Sequence, residues 1–369
     1  MPTQLHIPQS KEGILADVEG DFPLDLAVFN GVPIGSRILN AESYGDSEWN
    51  QTGRVTVEFP DGDVKRFFLK LAIDGNGRQL CRGEFTAISI INALIPGLVP
   101  RAVAWGQYTF SPPVTFFFIE DFHDLDMSLP NPKQMAQRVV QLHSLGSPNA
   151  KFGFEVPTFD GIAPHPAGWE TSWRAYFTKI SKKAVVTDAA SNGIWPQLSK
   201  AAELMLEHIV PALLDPLQEG SNAIKPRLIH GDLWGGNIGT DKETGGIVFL
   251  DVSSFYGHNE LDLGMWRRYG AQNLGQLYLD EYKRIFPPSE PQDGFDDRNG
   301  LYSMKFDLNA SAGKPAAKSR NTALNNMLFL IEKHIKTDID LGLPKYDPHK
   351  DPSARSGPED GLEQHAISH

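Results

Sequence analysis

The chain has 369 residues, of which 40% are apolar and 22% charged, a composition typical of a globular protein large enough for two lobes with separate cores. Acidic residues outnumber basic ones by 46 to 34, and no lysine or arginine run is present, so the net charge of −12 argues against binding to nucleic acid or to an anionic membrane surface. The single cysteine, Cys81, excludes an internal disulfide and a multi-cysteine metal site, and it fits a reducing compartment.

The apolar segments of the chain are too short to cross a membrane. The longest, VTFFFI, suits a buried strand, whereas a membrane helix requires about 18 apolar residues. The first stretch, MPTQLHIPQSKEG, is polar and has neither the apolar core of a signal peptide nor a twin-arginine start. We therefore expect a cytoplasmic protein.

The first third of the chain has the patterns of strands with one helix. RVTVEF and VKRFFLKLA alternate around the turn DGD, which predicts a β-hairpin. RGEFTAISIINALIPG has helical spacing and ends at Pro96-Gly97, and AVAWGQYTF and PVTFFFIEDF predict two further strands. The sequence thus predicts an N-terminal arm over residues 1–21 and a small β-rich N-lobe over residues 22–121.

Helical patterns dominate the rest of the chain. In NPKQMAQRVVQLHSLG, Asn131 is suited to cap the helix and Pro132 lies in its first turn. Further helical periods follow, interrupted by the short apolar strand GIVFLDV. We predict a mostly helical C-lobe over residues 122–345 and a disordered, polar tail over residues 346–369. The whole is expected to be an α+β, protein-kinase-like fold with a small N-lobe and a larger C-lobe.

The segment HGDLWGGN carries the residues best suited to chemistry. Phosphoryl transfer in a kinase-like fold needs a loop aspartate beside the acceptor hydroxyl, with an asparagine and a second aspartate holding Mg²⁺. Asp232 would accept or orient the hydroxyl proton, and Asn237 would reach the metal. His230 would brace the loop, and Gly235-Gly236 would let the backbone turn. The alternative is a surface turn that matches by chance, but Asp251 at the end of the next apolar strand favours the catalytic interpretation.

A second group of residues would bind the nucleotide. Lys70, at the end of the strand KRFFLK, would contact the ATP phosphates, and Glu84 on the next helix would position it. Lys70 could instead extend from an edge strand to solvent, and Glu84 could simply favour its helix N-terminus. Gly45 and Ser47 would form a loop over the phosphates in place of a glycine-rich motif, or else a plain hairpin loop.

Four more residues have open roles. The backbone near Glu120 and Phe122 would face an adenine, where a segment joins the lobes. Asp262 would either cap a helix or brace the catalytic loop. Trp234 would pack against the fold or stack on a substrate, because an exposed indole is unfavourable.

Three segments resemble one known family. HGDLWGGN resembles the HGDLWxGN signature of the fructosamine-3-kinase (ketosamine-3-kinase) family, which is related to the aminoglycoside phosphotransferases. FLDVSSFYGHNELDLGMW is similar to the family's D-P-A-x-Y-Y-G-x-R-E-x-D-L-A-M run, with Val252-Ser253, His258-Asn259 and Gly264 as departures. YGDSEWNQTGRVTV resembles the G-x-S-x-W-x-x-T stretch of fungal-type members. The tryptophan after Asp-Leu distinguishes the family from most other small-molecule kinases of this fold.

The resemblance implies a specific reaction and specific site residues. The activity would be ATP- and Mg²⁺-dependent phosphorylation of the 3-hydroxyl of a ribulosamine or fructosamine, on glycated lysine or glycated protein, which leads to deglycation. Asp232 would be the catalytic base, Asn237 and Asp251 the metal ligands, and Lys70 with Glu84 the nucleotide pair. Two alternatives are a kinase for another hydroxylated amine, such as an aminoglycoside or choline, and a nucleotide-binding pseudokinase.

Overall fold

The predicted hairpin is the centre of an antiparallel sheet of five strands, in the order β1-β2-β3-β5-β4. Its strands are β1 (Arg37–Ser43), β2 (Gln51–Glu58), β3 (Val64–Ile73), β4 (Ala102–Gln107) and β5 (Thr115–Asp121). The helix α1 (Gly77–Leu94) follows β3, and the short strand β6 (Leu125–Asp126) follows β5. The structure is a computed structural model that describes residues 18–45, 51–73, 75–109, 112–268, 274–314, 317–337 and 339–351.

Alternation of side chains explains why this sheet forms. Val55 and Val57 of β2 are buried, as are Phe67 and Leu69 of β3, and the residues between them are more exposed. A strand with one buried face reads as alternating apolar and polar residues. Lys70 breaks the pattern, because it lies opposite Phe118 near the end of β3 and is nevertheless 6% exposed.

Short strands and longer helices make up the remainder. The strands are β7 (Phe152–Phe154), β8 (Thr158–Asp160), β9 (Ala163–His165), β10 (Gly168–Glu170), β11 (Arg227–Ile229), β12 (Ile238–Asp241), β13 (Ile247–Phe249) and β14 (Phe255–Gly257). The helices are α2 (Pro132–His143), α3 (Trp173–Asn192), α4 (Pro196–Leu204), α5 (Val210–Leu214), α6 (Glu260–Trp266), α7 (Gln276–Ile285), α8 (Phe295–Gly313) and α9 (Ala317–His334). Strands β10, β7, β14 and β11 form a four-stranded sheet in that order.

The chain divides into two units. The described part of the N-terminal unit comprises residues 18–126, 156–158 and 241–250, and that of the C-terminal unit comprises residues 127–155, 159–240 and 251–351 with the gaps given above. The first is β-rich and the second mostly helical, so the predicted α+β, kinase-like fold class is confirmed.

Some predicted boundaries differ from the structure. Segment 241–250, which the sequence placed in the C-lobe, belongs with the N-terminal unit. Residues 346–351, placed in the tail, are ordered: the ring of Tyr346 packs edge-on against Phe329, and Asp347 and Asn325 exchange two hydrogen bonds of 2.9 Å. The rest of the predicted tail, and most of the N-terminal arm, lie outside the described residues.

Helix α8 is buried on every side although it carries many polar groups. A helix that is buried all round is normally apolar. The buried polar residues of α8 are Asp297, Arg298, Asn299, Ser303, Lys305, Asp307, Asn309 and Ser311. Several of them bond to other segments of the C-terminal unit, so α8 is held by polar contacts as well as by packing. In the part of the chain that the structure describes, every helix is too short or too polar to cross a membrane.

Replacement of Gly83 by alanine is expected to destabilise the N-terminal unit. A methyl group at Gly83 would lie 2.2 Å from the carbonyl oxygen of Pro157, so helix α1 or the segment beneath it would have to move. We expect Gly83→Ala to lower the free energy of unfolding by about 1–3 kcal/mol, measured by chemical denaturation. Gly146→Ala, which places its methyl in open space, is the control. Equal stability of the two variants would contradict the assigned packing.

Candidate active site

The loop of residues 230–237 follows strand β11 and ends in a short 3-10 turn over Gly235–Asn237. Gly231 has a positive φ of 86°, and a side chain there would lie 2.4 Å from the carbonyl oxygen of Ser253. Only glycine fits such a conformation and such a close approach without strain. Ser253 N–H in turn donates to His230 O at 3.0 Å, so the loop and the segment after Asp251 hold each other.

Asp262 fixes the loop backbone. Its carboxylate is fully buried and accepts hydrogen bonds from the N–H groups of His230 at 2.7 Å and Gly231 at 2.8 Å. Burial opposes its charge, but the hydrogen bond from His143 and the neighbouring loop groups outweigh it and hold the pKa of Asp262 below its ordinary value. Of the two roles that the sequence left open for Asp262, the structure shows the bonds of a loop brace.

His143 is a residue that the sequence analysis missed. Its Nε2 lies 3.0 Å from Asp262 Oδ2 and its Nδ1 lies 2.8 Å from Tyr282 Oη. Asn259 Nδ2 donates to the same Tyr282 hydroxyl at 3.0 Å. This buried chain orients Asp262 from helices α2 and α7. Its members are far apart in sequence. The one local signal for His143 is its place in the segment LHSLG at the end of α2, beside the buried Leu142.

Asp232 and Asn237 are brought together as the spacing predicts. Asn237 Nδ2 donates to Asp232 O at 2.9 Å and to Asp232 Oδ2 at 3.2 Å. The N–H of Asp232 donates to His230 Nδ1 at 3.2 Å, so His230 bonds within the loop. Asp232 is half-buried, and this burial, followed by the negative charge of Asp160, raises its pKa well above the ordinary value. A carboxylate with a raised pKa is suited to accept a proton near neutral pH.

Trp234 packs against the loop itself. A methyl group on Gly236 would lie 2.3 Å from the indole ring, so the ring rests directly on the Gly236 backbone. The backbone does turn at Gly235 and Gly236, in the short 3-10 turn over Gly235–Asn237. Neither residue has a positive φ, the left-handed position is Gly231, and Gly236 is needed for contact with Trp234. Trp266 Nε1 also donates to Leu233 O at 3.0 Å, which anchors the loop on α6.

Asp251 has a backbone conformation that is unusual for its type. Its φ is 51°, and among the described residues Ala150 is the other non-glycine with a positive φ. Such conformations are found disproportionately at functional sites, where surrounding structure imposes them. The Asp251 side chain is exposed, whereas Asn237 is buried and uses its Nδ2 toward Asp232, which leaves its Oδ1 as an acceptor.

The donor set of Asn237 and Asp251 fits Mg²⁺ rather than a transition metal. Mg²⁺ prefers oxygen ligands and is usually held by one or two protein groups together with substrate phosphates and water. The described residues contain no group of three or more His, Cys, Asp or Glu side chains that could hold a metal ion alone. One carboxylate and one amide oxygen are the ligands that hold nucleotide-bound Mg²⁺ in protein kinases.

The predicted nucleotide pair is formed in the N-terminal unit. Lys70 Nζ lies 2.5 Å from Glu84 Oε1, and the two side chains are 7% and 17% exposed. Lys70 Nζ also lies 5.8 Å from the ring centre of Phe68. Lys70 is therefore directed inward to Glu84, not outward to solvent. Glu84 lies in the body of helix α1 and not in its first turn, which removes the helix-terminus explanation.

The remaining predicted residues have mixed outcomes. Gly45 has a φ of 74°, and its carbonyl lies 3.4 Å from Thr52 Oγ1, while Ser47 lies outside the described residues. Glu120 is 3% exposed. Phe122 N–H, one of the groups predicted to face an adenine, donates instead to Arg66 O at 3.1 Å, which extends the sheet by one bond.

The fold is protein-kinase-like, and the loop of residues 230–237 has the H-x-D-x4-N pattern. The model of the fructosamine kinase family matches residues 36–328, well over half of the chain. The chain belongs to that family.

Individual relatives agree with this assignment. The chain is 29% identical over 194 residues to a chloroplastic protein-ribulosamine 3-kinase of Arabidopsis thaliana, covering 52% of this chain and 55% of the relative. It is 26% identical over 275 residues to a ketosamine-3-kinase of Mus musculus, covering 68% and 83%. The chain thus spans about half the length of the plant relative.

A solved structure shows the same fold. A protein of Haemophilus somnus 129PT, described as a fructosamine-3-kinase, superposes with a TM-score of 0.62 at 19% identity, covering 80% of this chain and 91% of that one.

Replacement of Asp232 and Asp241 by asparagine is expected to change thermal stability in opposite directions. Because the pKa of Asp232 is raised in the folded protein, stability falls as the pH rises above the ordinary aspartate pKa, and the loss is complete once the pH exceeds the raised value. Asp232→Asn should therefore raise Tm at roughly pH 8, and the gain should disappear toward roughly pH 4. Burial opposes the charge of Asp241, but bonds from His123 and Thr244 outweigh it and lower its pKa to about 2.

Asp241→Asn is the matched control for that measurement. The Asp241 carboxylate contributes stability above its ordinary pKa, which is lost as the pH falls toward 2, so this variant should lower Tm at neutral pH. Thermal melts of the two variants and the wild type across pH test both signs. A fall in Tm for Asp232→Asn at neutral pH would show that its charge is stabilised, contrary to the assigned environment.

Proposed function

We propose that this protein transfers the γ-phosphoryl group of ATP to the 3-hydroxyl of a ketosamine, the ribulosamine or fructosamine adduct of lysine. The observation that carries the proposal is the geometry of the loop of residues 230–237. Within it Asp232 and Asn237 are bonded to each other, and Asp262 fixes the backbone before them. Membership of the fructosamine kinase family and the names of the relatives support the acceptor class.

Asp232 acts on the acceptor hydroxyl. Its raised pKa makes the carboxylate a competent proton acceptor near neutral pH, and the bond from Asn237 Nδ2 orients it. The hydrogen bonds within the loop keep the Asp232 carboxylate in this orientation before substrate binds, so little reorganisation is needed during the reaction. His230 bonds within the loop and serves to hold the Asp232 backbone, not to react.

Asn237 and Asp251 would hold Mg²⁺ through their side-chain oxygens. When bound, the ion neutralises charge on the phosphate oxygens. The exposed position of Asp251 leaves its carboxylate accessible to a metal that arrives with the nucleotide. The left-handed backbone at Asp251 fixes the direction in which the carboxylate leaves the chain.

In the N-terminal unit, Lys70 binds the nucleotide phosphates and Glu84 positions its ammonium group. Glu84 Oε1 accepts from Lys70 Nζ at 2.5 Å, and this bond fixes the direction of the ammonium group. Gly45 would contribute to the loop over the phosphates, and the backbone near Glu120 would contact the adenine.

Trp234 would flank the acceptor, because its indole is partly exposed and fixed on Gly236. Glycated lysine, free or within a protein, would be the acceptor. The role would be deglycation repair in the cytoplasm, since phosphorylation at the 3-position destabilises the adduct and releases the amine.

A transfer assay tests the proposal. Incubation with Mg-ATP and ribulose-lysine, fructose-lysine, an aminoglycoside or choline should add one phosphate to a ketosamine, detected by mass spectrometry. Asp232→Asn should lower kcat by about 10² or more, because loss of a general base removes a contribution of that order. If only the aminoglycoside or choline gained a phosphate, the protein would be a kinase for another hydroxylated amine and not for ketosamines. Nucleotide binding without transfer to any acceptor would assign a pseudokinase.

A further inference from the structure

Asp160, at the end of strand β8, has one carboxylate oxygen fixed by two buried donors. Lys305 Nζ donates to Asp160 Oδ2 at 2.9 Å, and Asn309 Nδ2 donates to the same oxygen at 2.7 Å. Lys305 is 1% exposed and Asn309 is 3% exposed. The two donors lie one turn apart on helix α8, so they fix the orientation of the Asp160 side chain through that oxygen.

The other oxygen of Asp160 is left open. Within the residues that the structure describes, none donates a hydrogen bond to Asp160 Oδ1, and the side chain retains 11% of its exposure. The geometry of Asp160 is that of a carboxylate held by one oxygen, with the other oxygen offered to a ligand.

Asp160 is connected to the catalytic loop through Lys305. Lys305 Nζ lies 2.7 Å from His165 Nε2, and His165 Nδ1 lies 3.2 Å from Ser253 O, the carbonyl against which Gly231 packs. Burial and the adjacent ammonium hold the pKa of His165 well below its ordinary value, so the imidazole is neutral. It therefore accepts from Lys305 through Nε2 and donates to Ser253 through Nδ1.

The charges around Asp232 leave its carboxylate without a dedicated cation. Lys305 and Arg268 lower the pKa of Asp232, but each is bonded to another carboxylate: Lys305 to Asp160 and Arg268 to Asp307, at 2.8 Å. Asp160 acts in the opposite direction and raises that pKa. The surroundings of Asp232 thus have an excess of negative charge, which favours a cationic ligand.

We propose that Asp160 Oδ1 binds the secondary ammonium of the ketosamine and so selects amine-linked sugars. This inference rests on the proposed function. In a ketosamine the amine is on C1, the carbonyl is C2 and the acceptor hydroxyl is on C3, so three carbons separate the nitrogen from the hydroxyl oxygen. In this proposal each polar group of the substrate has its own carboxylate, Asp232 for the hydroxyl and Asp160 for the ammonium. Asp160 is then a specificity-determining residue, and Lys305 with Asn309 are its positioning residues.

The experiment compares two acceptors on the full chain. One is fructose-lysine or ribulose-lysine, whichever the wild type uses, and the other is its analogue with an ether oxygen in place of the amine nitrogen. We expect the wild type to favour the amine in kcat/KM. Asp160→Asn should lower kcat/KM for the amine by about 10- to 100-fold, the range expected for a hydrogen bond to a charged group, mainly through KM. Its activity on the ether should fall less than its activity on the amine, so that the preference for the amine is lost.

Two further variants separate recognition from folding. Asp188→Asn makes the same change at another buried carboxylate of the C-terminal unit, which pairs with Arg320 at 2.8 Å, and it should leave the preference intact. The double variant Asp160→Asn with Lys305→Met removes the whole pair, so no buried cation is left unpaired, and it should also lose the preference. Thermal melts report the folded fraction of each.

The outcomes distinguish this inference from the proposed function. A wild type that phosphorylates the ketosamine, with an Asp160→Asn variant that keeps the amine preference or loses both acceptors equally, overturns the role of Asp160 alone. A wild type that phosphorylates neither ketosamine overturns the proposed function and this inference with it.

Discussion

The loop of residues 230–237 depends on one constraint: the His230 and Gly231 N–H groups both donate hydrogen bonds to the Asp262 carboxylate. The loop has no regular ladder to satisfy its backbone, and buried N–H groups without acceptors would destabilise it. A charged acceptor makes such bonds short and strong, as the distances of 2.7 and 2.8 Å show. Asp232 is the next residue after Gly231, so the hydrogen bond from the Gly231 N–H fixes the backbone position of the candidate base.

Asp262 is in turn held by polar groups of the surrounding helices. His143 bonds its carboxylate, and two residues earlier Glu260 forms a buried ion pair with Arg298 of α8, at 2.8 and 3.0 Å. Both members of that pair are 1% exposed. Buried charges add little net stability compared with apolar packing, but loss of one partner is strongly destabilising. This part of the structure therefore trades stability for a fixed geometry, which the proposed phosphoryl transfer would require.

Local sequence patterns were sufficient for the features that depend on neighbours in the chain. The alternation of β2 and β3 predicted the hairpin, and the spacing in HGDLWGGN predicted the bonded pair of Asp232 and Asn237. The Lys70–Glu84 pair was also predictable, because a lysine near the end of one strand and a glutamate on the next helix are only 14 residues apart.

Contacts between distant segments could not be predicted in this way. His143 reaches Asp262 across 119 residues and Lys305 reaches Asp160 across 145, and a single sequence carries no signal that joins such positions. Lys305 lies in a helix without an apolar stripe, so its burial was not apparent either. The contact of Gly236 with the Trp234 ring was missed for a related reason. The need for glycine there comes from the ring of Trp234 and not from the φ of the turn.

Hydrogen exchange at the loop amides of an Asp262→Asn variant tests the central claim most directly. The asparagine keeps the shape of the side chain but loses its charge and one acceptor oxygen. The account predicts faster exchange at the His230 and Gly231 amides, unchanged exchange in helix α3, and loss of phosphoryl transfer in the same sample. Unchanged protection of the two amides, or full turnover after their protection is lost, would contradict the claim that the Asp262 carboxylate fixes the loop of residues 230–237.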